Sequence, residues 1–72
     1  MNIDKNFLFG LNIRKARMNK GLSQIQLAKK IGISQQVLQQ YEKSERKNVF
    51  MILNIARSLG VTVEWLFEGY DS

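Results

Sequence analysis

Two serines flanking one glycine constrain this chain more than anything else in it. Ser23 and Ser34 each stand directly ahead of a short run of residues that is apolar on one side and polar on the other, and Gly32 lies between the runs. A serine in that place is a helix N-cap, because its hydroxyl accepts a hydrogen bond from a backbone N–H that the first helical turn leaves unpaired. Gln26, three residues after Ser23, completes a capping box, and Leu27, Ala28 and Ile31 form a stripe that ends at Gly32. After Ser34, residues 35 to about 43 read as a second short helix.

The rest of the chain reads as helix too. Ahead of Gly21, over residues 7–20, Phe9, Ile13 and Ala16 recur at helical spacing with Arg14, Lys15, Arg17 and Lys20 between them. After a loop at 44–48, an apolar segment runs from Val49 to Leu59 and stops at Gly60; Thr62 then caps a last short helix over 63–68, closed by Gly69. No stretch alternates at period two for long enough to make a strand. The expected fold is all-α: five helices in one domain spanning 1–72, with a helix-turn-helix at about 23–43 and C-terminal helices at about 49–68 for core and pairing.

Composition removes whole classes of function. With 72 residues the core is small, and with neither cysteine nor histidine there are no disulfides, no Cys/His zinc site and no His-based catalysis. The acidic residues are scattered, so no acid–base pair emerges and no enzyme is expected; neither are a metal, a cofactor or a small-molecule ligand. No run approaches the roughly 18 apolar residues of a membrane span, and the N-terminal residues lack a basic signal-peptide region, so the expectation is a cytoplasmic protein without a membrane partner.

What remains is charge, and it is unevenly placed. Residues 5–47 carry a net +8, whereas 48–72 carry −2. One side of a small globule therefore presents a positive field suited to phosphates. Two short helices joined by a three-residue turn with glycine are the spacing of a helix-turn-helix, whose second helix enters a DNA major groove. On a wheel of about 100° per residue, Gln35, Gln39, Gln36 and Gln40 fall within about 140° of one another, and Val37, Tyr41 and Leu38 occupy the opposite arc. A glutamine amide carries a donor and an acceptor in one plane, matching N6 and N7 of adenine. The bland alternative is that these glutamines are neutral helix formers on a wet face.

The run Arg17-Met-Asn-Lys-Gly-Leu-Ser-Gln-Ile-Gln-Leu-Ala-Lys-Lys-Ile-Gly-Ile-Ser-Gln-Gln-Val-Leu-Gln-Gln-Tyr-Glu42 resembles the DNA-binding domain of lambdoid phage repressors and Cro proteins. So does Ile55-Ala-Arg-Ser-Leu-Gly-Val-Thr-Val-Glu-Trp-Leu66, and the resemblance extends over roughly 9–69. It implies that Gln35, Gln36 and Gln40 read bases, with Gln39 a weaker candidate. It implies that Gln24 and Ser23 bind a phosphate at a helix N-terminus, where unpaired N–H groups and the dipole favour an anion. Lys43, Arg46, Lys47 and Asn48 would follow the sugar-phosphate backbone. Arg17 and Glu42 correspond to a largely buried salt bridge that ties the first helix to the third and offers the remaining Arg17 donors to a phosphate.

One position departs from the pattern. Relatives place a basic residue that enters the minor groove where this chain has Phe50, and an aromatic ring cannot make that contact. Ile52, Ile55, Ala56 and Leu59 share one arc of the fourth helix, while Phe50 and Leu53 lie off it by more than about 90°. These two read either as core filling against the last helix or as part of a self-association patch with Phe50, Met51, Val63 and Trp65 as apolar anchors. Trp65 and Phe67 fit a core role as well. The expected function is a sequence-specific transcriptional regulator, a phage or prophage repressor or Cro-type protein. It would bind double-stranded, pseudo-palindromic operator DNA as a homodimer, with half-sites about 34 Å apart. An antitoxin, a protein-binding adaptor of the same fold and a restriction-modification controller are the alternatives.

Overall fold

A computed structural model of the chain describes residues 5–68, with side-chain surroundings for 8–67. Five helices follow one another: α1 (Lys5–Asn19), α2 (Gln24–Ile31), α3 (Gln35–Glu42), α4 (Val49–Leu59) and α5 (Val63–Glu68). No strand occurs among the described residues. α1 starts two residues earlier than its apolar spacing suggests, and Gly69, expected to close α5, lies outside the described residues.

The caps are where the local sequence puts them. Ser23 Oγ accepts from the Gln26 N–H at 3.0 Å while Gln26 Oε1 accepts from the Ser23 N–H at 2.8 Å, so both halves of the capping box form. Ser34 Oγ accepts from the Val37 N–H at 3.1 Å. Two further caps open α4 and α5: Asn48 Oδ1 accepts from the Met51 N–H and Thr62 Oγ1 from the Trp65 N–H, both at 3.0 Å.

The helix ends share one geometry. A residue in the left-handed region reverses the chain, and the next N–H reaches back five residues to an otherwise unpaired carbonyl: Leu22 to Arg17, Ile33 to Ala28, Glu45 to Gln40 and Val61 to Ala56, at 2.8–3.1 Å. Gly21, Gly32 and Gly60 hold three of these positions, but Ser44, with φ 61°, holds the fourth. A side chain in that conformation costs roughly 1–2 kcal/mol. Ser44 Oγ in return accepts from the Gly10 N–H of α1 at 3.2 Å.

Helix α1 packs against α3, α4 and α5, while α2 packs against α3 and α4, and all five meet in one core. Phe9, Ile13 and Ala16 share one buried core with Leu27 and Ala28 of α2, Leu38 and Tyr41 of α3, the Ile52, Ile55, Ala56 and Leu59 arc of α4, and Leu66 of α5. Gly10 allows the close approach of α1 to the end of α3. A Cβ there would stand 2.6 Å from the carbonyl oxygens of Tyr41 and Glu42 and would meet Ser44 Oγ. Asn12, fully buried, donates from Nδ2 to the Leu66 carbonyl at 2.8 Å and so holds α5 in place. Phe9 and Phe67 add a ring contact between the same helices, with centroids 5.4 Å apart.

Candidate nucleic-acid interface

Helix α3 turns Leu38 and Tyr41 into the core, with Val37 packed at its edge, and leaves Gln35, Gln36 and Gln39 exposed. Gln40, at the edge of this face, is half-buried. Ser34 caps the helix, so the exposed amides begin in its first turn, the part that reaches base edges when a helix enters the major groove end-on.

Behind this face lies a polar network built from three helices. Arg17 Nε donates to Glu42 Oε2 at 2.7 Å and Nη2 to Glu42 Oε1 at 3.2 Å, a two-pronged pair whose side chains are 10% and 4% exposed. Arg17 Nη1 donates to the Leu22 carbonyl at 2.8 Å. Gln24 Nε2 donates to Glu42 Oε1 at 3.1 Å, and Gln35 Nε2 approaches Gln24 Oε1 at 3.4 Å. The chain α1–α3–α2–α3 of contacts fixes the angle between the two helices of the motif. It also leaves Arg17 two N–H groups out of five, and leaves Gln24 one side-chain N–H. The Ser23 hydroxyl accepts the capping bond through its oxygen, so its proton is still free to be donated.

Around the network is an open concavity of about 490 Å³ lined by Arg14, Arg17, Ser23, Gln24, Gln35 and Lys43, among others. Arg14 was not singled out from the sequence. Its signal was there, since it precedes Arg17 by three and shares its helix face. Lys43, Arg46, Lys47 and Asn48 are all exposed, but three of them have work within the protein. Arg46 Nε donates to Gln40 Oε1 at 2.9 Å, Asn48 caps α4, and Lys47 Nζ stands 5.8 Å from the ring centroids of both Phe9 and Phe67.

The four candidate anchors for pairing divide. Phe50 is 78% exposed, which removes the core-filling reading for it, whereas Met51, Val63 and Trp65 are half-buried against the core. Val49, not foreseen, is 75% exposed beside Phe50. Next to them is an apolar groove of about 330 Å³ lined by Lys47, Val49, Ile52, Leu53, Val63 and Phe67. Among the described residues no group of His, Cys, Asp or Glu could hold a metal ion, and no helix is long and apolar enough to cross a membrane.

A capped helix pair, a glutamine face and a basic concavity define a class of protein, and comparison with known sequences agrees. Residues 13–66 match the helix-turn-helix family model. The chain belongs to that family, in its Cro/C1 type, a family of transcriptional regulators. It is 40% identical over 63 residues to HTH-type transcriptional regulators of Rickettsia conorii and Rickettsia prowazekii, covering 86% of this chain and 50% and 48% of theirs. The chain thus spans about half the length of the curated relatives it matches. Among solved structures it is similar to the restriction-modification controller protein C.AhdI from Aeromonas hydrophila, with TM-score 0.78 and 32% identity over 86% of this chain and 96% of that one. The P22 c2 repressor, solved in complex with a synthetic operator, matches with TM-score 0.78 and 30% identity over the same shares. A hypothetical transcription factor from Neisseria matches with TM-score 0.81 and 29% identity, over 89% of this chain and 75% of that one.

Proposed function

We propose that this chain is the DNA-binding domain of a sequence-specific repressor, of phage or prophage repressor or Cro type, acting in the cytoplasm on a pseudo-palindromic operator as a homodimer. The observation that carries the reading is the set of exposed amides on α3, backed by a salt bridge that holds the helix rigid. In this reading α3 lies in the major groove and Gln35, Gln36, Gln39 and Gln40 face base edges. One phosphate sits at the N-terminus of α2, bound by the Gln24 and Ser23 side chains, backbone N–H groups and a spare Arg17 donor. Lys43, Lys47 and Arg14 add sequence-independent affinity by releasing counterions. Phe50 and the apolar groove beside it pair two copies, so that two recognition helices meet successive major grooves. Repression follows from occupying promoter DNA, without catalysis.

Selection of bound sites from a random duplex library tests this. The expected product is a two-fold symmetric site with half-sites one helical turn apart. Gln36→Ala should relax preference at one symmetric pair of positions by about 1–3 kcal/mol. A protein that binds no duplex preferentially is a protein-binding adaptor instead. Similarity to a restriction-modification controller favours a second reading of the same chemistry, in which the operator lies at a restriction-modification locus.

A further inference from the structure

The amide of Gln40 is held by its oxygen, whereas that of Gln35 meets Gln24 through its nitrogen at 3.4 Å. Arg46 Nε donates to Gln40 Oε1 at 2.9 Å. A guanidinium has donors and no acceptor, so the end of the amide that meets it is the oxygen. Nε2 of Gln40 has no hydrogen-bond partner among the described residues, and as the amino end of the amide it carries two donors.

Arg46 is not brought there by a loose loop. The left-handed turn at Ser44 sends the chain back along the last turn of α3, where the Ser44 N–H donates to the Tyr41 carbonyl at 3.0 Å and the Glu45 N–H to the Gln40 carbonyl at 2.8 Å. The Ser44 hydroxyl is bound to α1 through Gly10. The residue after Glu45 is therefore carried past Gln40 by backbone hydrogen bonds, and its donor is ionised, which strengthens the bond.

Resting on the reading that α3 enters a major groove, we infer that Arg46 is a positioning residue for base recognition: it holds the Gln40 oxygen toward the loop and leaves the amino group for the DNA. A freely turning glutamine suits adenine, using both ends of the amide. One held by its oxygen favours an acceptor edge, which guanine offers at N7 and O6 and thymine at O4, and disfavours cytosine, which offers a donor. A backbone-contacting arginine would instead raise affinity for every sequence alike.

The test uses the full chain with Arg46→Met, Gln40→Ala and the double variant, each taken through site selection from random duplexes and affinity measurement across salt. Methionine keeps an unbranched side chain and offers no donor to the Gln40 oxygen, whereas lysine, itself a donor without an acceptor, could still hold it. Expected are guanine or thymine at the base pair whose preference Gln40→Ala abolishes, and an on-the-order-of-tenfold shift toward adenine at that pair alone in Arg46→Met, with an unchanged salt slope because Arg46 is engaged with Gln40 and not with a phosphate. In the Gln40→Ala background Arg46→Met should have no further effect on preference. Arg46→Met leaving the selected site intact, or weakening all sequences equally with a shallower salt slope, would overturn this inference alone. A wild-type chain that enriches no sequence would overturn the operator reading and this inference with it.

Discussion

Arg17 directs three of its five N–H groups to Glu42 and the Leu22 carbonyl, and at 8% exposure it could not keep its charge in place without them. Glu42→Ala strands that charge, and the expected loss is about 3–5 kcal/mol, read as a lower urea midpoint at unchanged slope. For a 72-residue domain whose whole stability is about 4–11 kcal/mol, that is at least about a quarter of it. A loss below about 1 kcal/mol would mean that the pair behaves as a surface one. Ser44 balances two effects of opposite sign. Ser44→Ala keeps the left-handed strain and removes the acceptor for the Gly10 N–H, so it should cost about 1 kcal/mol. Ser44→Gly loses the same bond but relieves the strain, and should melt above Ser44→Ala by about 1 kcal/mol in stability. The reverse order would show that the strain is not felt.

Helices α2 and α3 have 8 residues each, about two turns, too short to persist without caps and packing. Ser34→Ala should therefore cost about 1 kcal/mol by denaturation and reduce operator affinity beyond that of random duplex, since the frayed first turn is the one that carries Gln35 and Gln36. An unchanged ratio of operator to random affinity would sink the second half of this expectation. The elements were legible because their signals are local. A serine cap acts three residues away, a glycine terminates the turn before it, and the apolar stripes of α2, α3 and α4 are the faces found buried. Gly10, Asn12 and Ser44 were not legible, because each is explained by a partner 34 or 54 residues distant. Within its own helix Asn12 looks like a surface residue and Gly10 like a mere weakness. Phe50 was half-legible: the wheel put it off the core arc of α4, but only the packing of α5 leaves it 78% exposed.

At the scale of the molecule, the positive charge and the two most exposed apolar side chains, Val49 and Phe50, lie in different parts of the chain. The first 47 residues hold nearly all the positive charge, and binding to random duplex should fall with salt at a log–log slope near −0.9 for each phosphate neutralised. A flat response would be incompatible with DNA binding through this face. Phe50 contributes little to the fold of one copy, so Phe50→Ser should change unfolding free energy by less than about 0.5 kcal/mol. The same variant should weaken self-association in sedimentation and flatten the cooperativity of operator binding. Loss of stability without loss of association would place the pairing surface elsewhere.

The contact between the first helix and the last has a further consequence for how the protein is made. Asn12 finds its partner at Leu66 and Phe9 finds its partner at Phe67, so the two ends of the described chain close on one another. A ribosome working from the N-terminus exposes the whole helix-turn-helix before synthesising the helix that completes its support. The nascent domain cannot finish its core until α5 has cleared the exit tunnel, and a chain arrested after Leu59 would display every glutamine of α3 on a scaffold still open along α1.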